Sequence, residues 1–164
     1  MSIELRFMSH DLLGLWIQRV SREYEQSRLK AGDPTDVARD KARASMETSF
    51  PNGVPAPGHL VYDVITNEPD KSAKVVGYLW IAPTRESSTD WWVFDIEIDE
   101  PHRSNGFGRA AMQLAEKAAA DHGAATIGLN VFGYNTTARK LYESLGYQTT
   151  SVQMRKSVQV TSTA

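Results

Sequence analysis

With 164 residues, 41% of them hydrophobic and 23% charged, the chain is long enough to close one packed core and too apolar to be a disordered segment. Eighteen Lys and Arg against twenty Asp and Glu give a formal charge of −2, and no basic stripe with interleaved aromatics runs along the chain, which argues against nucleic acid as a partner. The lack of cysteine excludes disulfides, thiolate nucleophiles and thiolate metal sites, and with no leader pattern in MSIELRFMSH and no apolar run near the ~18 residues of a membrane span, a cytoplasmic protein with no membrane partner is expected.

Ile3 to Phe7 alternates like a short strand, and Ser9 offers a cap for a helix whose inner face carries Leu12, Leu13, Trp16, Ile17, Val20 and Tyr24. Gly32 ends that helix. Asp33-Pro34-Thr35-Asp36 then reads as an N-cap, a proline at the first helical position and an acid in the first turn of a second helix, with Val37, Ala38, Ala42 and Met46 inward. The prolines and glycines between Phe50 and Gly58 demand a loop. His59–Thr66 and Lys74–Ala82 read as two antiparallel strands joined by Asn67-Glu68-Pro69-Asp70, and Trp91–Asp99 as a third. A helix after Gly106, with Ala110, Ala111, Leu114, Ala115 and Ala118 on one face, stops at Gly123. Thr126–Phe132 is a short strand, and Asn135 caps a helix with Ala138, Leu141, Tyr142 and Leu145 inward that ends at Gly146. Tyr147 to about Val158 reads as a last strand. The expected order is β-α-α-β-β-β-α-β-α-β in one domain over residues 1–158, followed by a polar tail at 159–164.

The stretch from Asp95 to Arg109 is a strand that runs into a Gly-rich turn opening a helix. Backbone amides at a helix N-terminus lack intrahelical acceptors and sit at the positive end of the macrodipole, so such a turn suits an anion. Gly106 and Gly108 remove Cβ atoms that would hold phosphate oxygens away. A plain strand-to-helix connection would look much the same. There is no Gly-Lys-Ser/Thr ending as in a P-loop, and neither the third glycine nor the acidic residue of a dinucleotide fingerprint.

What remains, Arg103-x-x-Gly106-x-Gly108, resembles the Q/R-x-x-G-x-G/A motif of the GNAT superfamily of N-acetyltransferases. Asn135-Thr136-Thr137-Ala138 through Tyr142 to Gly146-Tyr147 resembles the family's second signature, N-x-x-A-x-x-x-Y-x-x-x-G-F/Y. The match covers about Trp92 to Arg155. The resemblance implies a mixed, mostly antiparallel α/β (α+β) sheet with helices on both faces, and acetyl-CoA as cosubstrate with no metal. It implies coenzyme A pyrophosphate on the backbone of Arg103, Ser104, Asn105, Gly106, Phe107, Gly108 and Arg109. It also implies a splayed strand whose Ile96 and Ile98 backbone groups meet pantetheine, Asn135 beside that arm, and Tyr142 as the acid for the leaving thiolate. Asn135 could equally be a helix cap, and Tyr142 falls on a core-facing stripe. Many family members have glycine where Ser104 stands and proline where Glu100 stands.

Acetyl transfer to an amine needs the amine neutral, hence a base or a water chain leading to one. Alternation puts Ile96 and Ile98 on one strand face and Asp95 and Glu97 on the other. Glu97 is the first choice of base, with partial burial expected to raise its pKa, and Asp95 or a water chain the alternatives. Asp95 and His59 are candidate contacts to a small-molecule or peptide amine. His102 and His122 suit electrostatic or capping roles, and the histidines lack metal-ligand spacing. Trp80, Trp91 and Trp92 could line an acceptor pocket or fill the core. A non-catalytic acyl-CoA-binding sensor is the other function class, and homodimer formation is left open.

Overall fold

The computed structural model describes residues 2–68 and 71–159. Pro69 and Asp70, expected in a turn, and tail residues 160–164 lie outside the described residues. The strands are β1 (Ser2–Phe7), β2 (Leu60–Glu68), β3 (Lys71–Pro83), β4 (Asp90–Ile98) and β5 (Thr126–Leu129); the helices are α1 (His10–Lys30), α2 (Thr35–Ser49), α3 (Phe107–Asp121) and α4 (Thr136–Ser144). The sheet runs β1-β2-β3-β4-β5. Its first three pairings are antiparallel and β4–β5 is parallel, so the mixed, mostly antiparallel sheet is the one expected.

Each face of the sheet carries its own core. On one, α1 lays down Leu13, Trp16 and Val20, which with Met46 of α2 and Phe50 cover Val61, Tyr78 and Trp80. The helical spacing of those α1 residues makes the stripe, while Leu12, at 51% exposure, falls outside it. On the other face, Phe107, Ala111, Met112, Ala115 and Ala119 of α3 pack on Tyr62, Val64, Leu79, Ile81, Trp91 and Val93. The alanines let helix and sheet approach closely. The buried face of α3 is turned slightly from the expected one, so that Leu114 lines an outer cleft against β1.

A bulge sets the frame of β4. Trp80 pairs with Asp95 and Ile81 with Val93, leaving Phe94 as the extra residue. Trp91 and Val93 therefore face α3, and so do Ile96 and Ile98 beyond the bulge. Asp95 and Glu97 are turned to the α1 face, opposite Trp80 and Tyr78. Gly77 permits the close strand approach there: a Cβ on it would stand 2.0 Å from the Glu97 carbonyl oxygen.

Two expectations are corrected. The last strand does not form, and Tyr147–Gln159 carries no regular structure. Val152, Met154 and Val158 are exposed. Instead Arg155 donates to the Gly32 carbonyl at 2.6 Å and to Asp33 at 2.7 Å, so charge-assisted bonds hold the segment at the α1–α2 corner, and alternation without a partner edge makes no strand. Asp33, in turn, does not cap α2, whose N-cap is Pro34. Its carboxylate is 3% exposed and meets Arg28, Lys41 and Arg155, and the Arg28 hydrogen bond holds its pKa below the usual carboxylate range.

Candidate active site

Pairing between β4 and β5 stops at Val93 and Leu129. From Phe94 to Ile98 that edge of β4 has no strand partner among the described residues. The Asp99 amide donates to the Val76 carbonyl at 2.8 Å, so the main-chain groups of Glu97 and Asp99 point toward β3, and by alternation those of Ile96 and Ile98 point into the gap. Arg103 folds across this edge, its Nε donating to the Ile98 carbonyl at 2.8 Å and its guanidinium lying 3.4 Å from Glu97.

The gap leads to the Gly-rich turn. Ser104 has φ 65° and Gly106 φ 78°, two left-handed residues that swing the chain from a short 3₁₀ turn at Glu100–His102 into α3. Among the described residues the amides from Ser104 to Arg109 meet no hydrogen-bond acceptor. The Asn105 side chain instead donates to the carbonyls of His102 and Arg103 and braces the turn. A Cβ on Gly106 would meet nothing within 4 Å, which leaves its surface open to a ligand. Gly108 lies against α4, its Cβ position 3.4 Å from the Leu141 side chain. Phe107 sends its side chain into the core and offers the site only its amide. Arg109 ties α3 to α4 through Ser144 at 2.6 Å.

Helix α4 flanks the gap. Asn135 is its cap, with Oδ1 accepting from the Ala138 amide at 3.2 Å. The amide nitrogen of the same side chain stays available, so capping and ligand contact are compatible. Tyr142 packs against the α3-side core together with Ile96 and Ile98. Burial, and then the charge of Asp95, push its phenol above the ordinary range; a phenol in that state keeps its proton and can donate it.

On the α1 face the carboxylates gather around one hydroxyl. Tyr78 Oη lies 2.9 Å from Asp95, 3.3 Å from Glu97 and 3.5 Å from Glu23 of α1, and the Arg19 guanidinium sits over its ring. Burial raises the Asp95 pKa to about 6, against the relief of the Tyr78 hydrogen bond. Asp95 is thereby perturbed in the direction a general base requires. Glu97, with its side chain 34% exposed, leans on Arg103.

Beyond Asp95 the wall is aromatic. Trp80 Nε1 donates to His59 Nδ1 at 3.0 Å, which puts the His59 proton on Nε2, and burial lowers the His59 pKa, favouring the neutral ring. Phe94 stacks on Trp80 at 4.7 Å. His59 and Phe94 border a cleft of about 560 Å³ that also takes in Ser45 and Thr48 of α2 and Pro57 of the Pro/Gly loop. Trp80 and Trp91 are core, on opposite faces of the sheet, and Trp92 covers Gly128. Glu23 and Tyr78 escaped sequence reasoning. They stand 55 residues apart, and no local motif joins them.

A second cleft, of about 490 Å³, lies between β1 and α3 behind Asn105 and Gly106. Among the described residues no group of three or more His, Asp or Glu could hold a metal ion, and no helix is long and apolar enough to cross a membrane.

Comparison with known proteins agrees with this fold. The profile described as the Acetyltransferase (GNAT) family matches residues 19–147. The uncharacterized N-acetyltransferase YycN of Bacillus subtilis strain 168 is 31% identical over 159 residues, covering 95% of this chain and 99% of that protein. The crystal structure of YycN superposes with a TM-score of 0.84 at 29% identity, covering 97% of this chain and all (100%) of the other. A protein of Pyrococcus furiosus described as a putative acetyl transferase (TM-score 0.63, 18% identity, 96% and 100% coverage) shares the fold. So does AAC(6')-Iy, solved with the bisubstrate analog CoA-S-monomethyl-acetylneamine (TM-score 0.56, 14% identity, 98% and 100% coverage). With the family profile spanning most of the chain and a relative matched over nearly its whole length, this chain belongs to the GNAT acetyltransferase family.

Proposed function

We propose that the protein moves an acetyl group from acetyl-CoA to a primary amine by direct transfer in a ternary complex. The observation that carries this reading is the end of β4–β5 pairing at Val93 and Leu129, which opens a backbone edge beside a turn whose amides lack acceptors. A pyrophosphate would satisfy those amides from Ser104 to Arg109. Ile96 and Ile98 would offer main-chain groups to the pantetheine arm once Arg103 yields the Ile98 carbonyl, and Asn135 would contact the same arm. The Ile98 amide would then polarise the thioester carbonyl. Tyr142, kept protonated by burial, would donate its proton to the departing thiolate.

The acceptor amine would enter from the α1 face, where Asp95 and Glu97 stand across β4 from Tyr142. Asp95 receives the ammonium proton in this reading, directly or through water. Glu97 is the outer carboxylate and His59 a wall of the acceptor cleft. The fold shared with AAC(6')-Iy, whose structure holds a CoA-linked bisubstrate analog, supports acetyl-CoA as the donor.

The test pairs calorimetry of acetyl-CoA binding with detection of CoA thiol release over a panel of peptide, polyamine and amino-acid amines. Binding with release on at least one amine is expected. Binding without release on any would make the protein a non-catalytic acyl-CoA sensor.

A further inference from the structure

Tyr78 is 3% exposed, and Trp16 meets its ring edge-on at 5.5 Å while Arg19 lies over it at 4.9 Å. The hydroxyl is thus fixed where three carboxylates converge. A phenol has one proton to give, and the 2.9 Å contact assigns it to Asp95. Glu97 at 3.3 Å and Glu23 at 3.5 Å then face an oxygen that can only accept. Both contacts become favourable when a carboxyl in the cluster carries a proton.

We propose that Tyr78 is a positioning residue whose hydroxyl couples Asp95, Glu97 and Glu23 into one proton-accepting unit, passing the proton shed by the acceptor amine toward solvent. The inference rests on the acetyl-transfer reading for the source of the proton. An ammonium N–H bond breaks as an Asp95 O–H bond forms. That proton moves to Tyr78 Oη as the Tyr78 proton moves to Glu97 or Glu23, and the carboxyl that received it releases it to water. The neutral amine is left to react, and Tyr78 and Asp95 end as they began.

The charged groups around the hub fit this role. Arg19 and Glu23 reach it from α1, Asp95 and Glu97 from β4, and Arg103 reaches Glu97 from the turn. Tyr142 feels Asp95 from α4. Asp63 of β2, which pairs with Tyr78 in register, is taken up by Arg6 of β1. Among the described residues no cation bonds Asp95, so its proton affinity is set by burial, by Tyr78 and by the two glutamates.

The two halves of the hub act on Asp95 with opposite sign, because Tyr78 donation favours the ionised form and the Glu23 charge opposes it. Carboxyl-carbon NMR titration of the wild type, Tyr78→Phe and Glu23→Gln reads this without any acceptor. Starting from a midpoint of about 6, Tyr78→Phe should move Asp95 up and Glu23→Gln should move it down. With an active amine, the acid limb of kcat/KM should follow, so that at pH 6 Tyr78→Phe loses about twofold to threefold and Glu23→Gln gains about 1.5-fold, below the twofold ceiling set by a half-ionised Asp95. Phenylalanine keeps the packed ring, and Glu23 is a surface side chain, so both variants should fold. Midpoints that stay put, or that move the same way, would overturn the coupling. Absence of CoA release from every amine would sink the acetyl-transfer reading separately, while the titration still decides whether the hub exists.

Discussion

Gly77→Ala asks whether the sheet needs its close approach at Glu97. The added Cβ would stand 2.0 Å from the Glu97 carbonyl oxygen and 3.0 Å from the Ile98 Cα. Both are backbone atoms, so no side chain can rotate away and β3 and β4 must part where Asp95, Glu97 and Tyr78 are held. Overpacking of this kind costs about 1–3 kcal/mol, and the backbone clash places the variant near the upper end. For a domain of this size each kcal/mol lowers Tm by about 2–4 °C, so a fall of about 6–12 °C is expected. Gly14→Ala is the control. Gly14 sits exposed in α1 with nothing within 4 Å of its Cβ position, and an alanine there should stabilise by about 0.5–1 kcal/mol. Thermal and urea melts measure both, and the CoA-release assay should show Gly77→Ala losing turnover beyond its stability loss. A Gly77→Ala variant that melts with the wild type and keeps full turnover would refute this account of the strand approach.

Asp95→Asn should trade activity for stability. Burial lifts the Asp95 pKa from 3.8 to about 6. The native state therefore holds an extra proton in that window, and the stabilisation present below pH ~4 is lost as pH rises to ~6, leaving the ionised group costing about 3 kcal/mol at pH 7. Asparagine should raise stability at pH 7 by about that much, seen in urea melts at pH 4 and pH 7, while amine turnover falls at least about 100-fold. Tyr142→Phe should lower kcat by about 100-fold and leave acetyl-CoA affinity by calorimetry nearly unchanged; equal turnover would remove Tyr142 from the chemistry. Ser104 holds φ 65°, a conformation that costs a non-glycine residue about 1–2 kcal/mol. Ser104→Gly should accordingly raise Tm by a few degrees, less the entropy that glycine adds to the unfolded chain.

The parts of the site built from neighbours in sequence were legible in it. Period-two spacing placed Ile96 and Ile98 opposite Asp95 and Glu97, and the glycines around Ser104 marked the turn. The strand order followed from short loops and β-branched runs. The bulge at Phe94 was not legible, because a strict alternation from Trp91 would put Asp95 on the α3 face; only the coordinates reveal the extra residue that returns it to the α1 face. Glu23 and Tyr78 were missed for another reason, since a carboxylate on a long amphipathic helix looks like solvated surface until the sheet beneath it is known. The end of β5 at Leu129, earlier than Phe132, and the unpaired Tyr147–Gln159 both depend on which edges find partners, a tertiary matter that propensity does not encode. Asp33 had every local sign of a cap, yet three cations from three separate places in the chain claimed it.

The open edge of β4 and the bare amides at the start of α3 are best tested by amide NMR during titration with coenzyme A. The account predicts that the largest shifts fall on Ser104 to Arg109 and on Ile96 and Ile98, with Arg103 released from the Ile98 carbonyl. Shifts confined to Gln113 and Lys117 in the cleft against β1, with the turn amides unmoved, would contradict it.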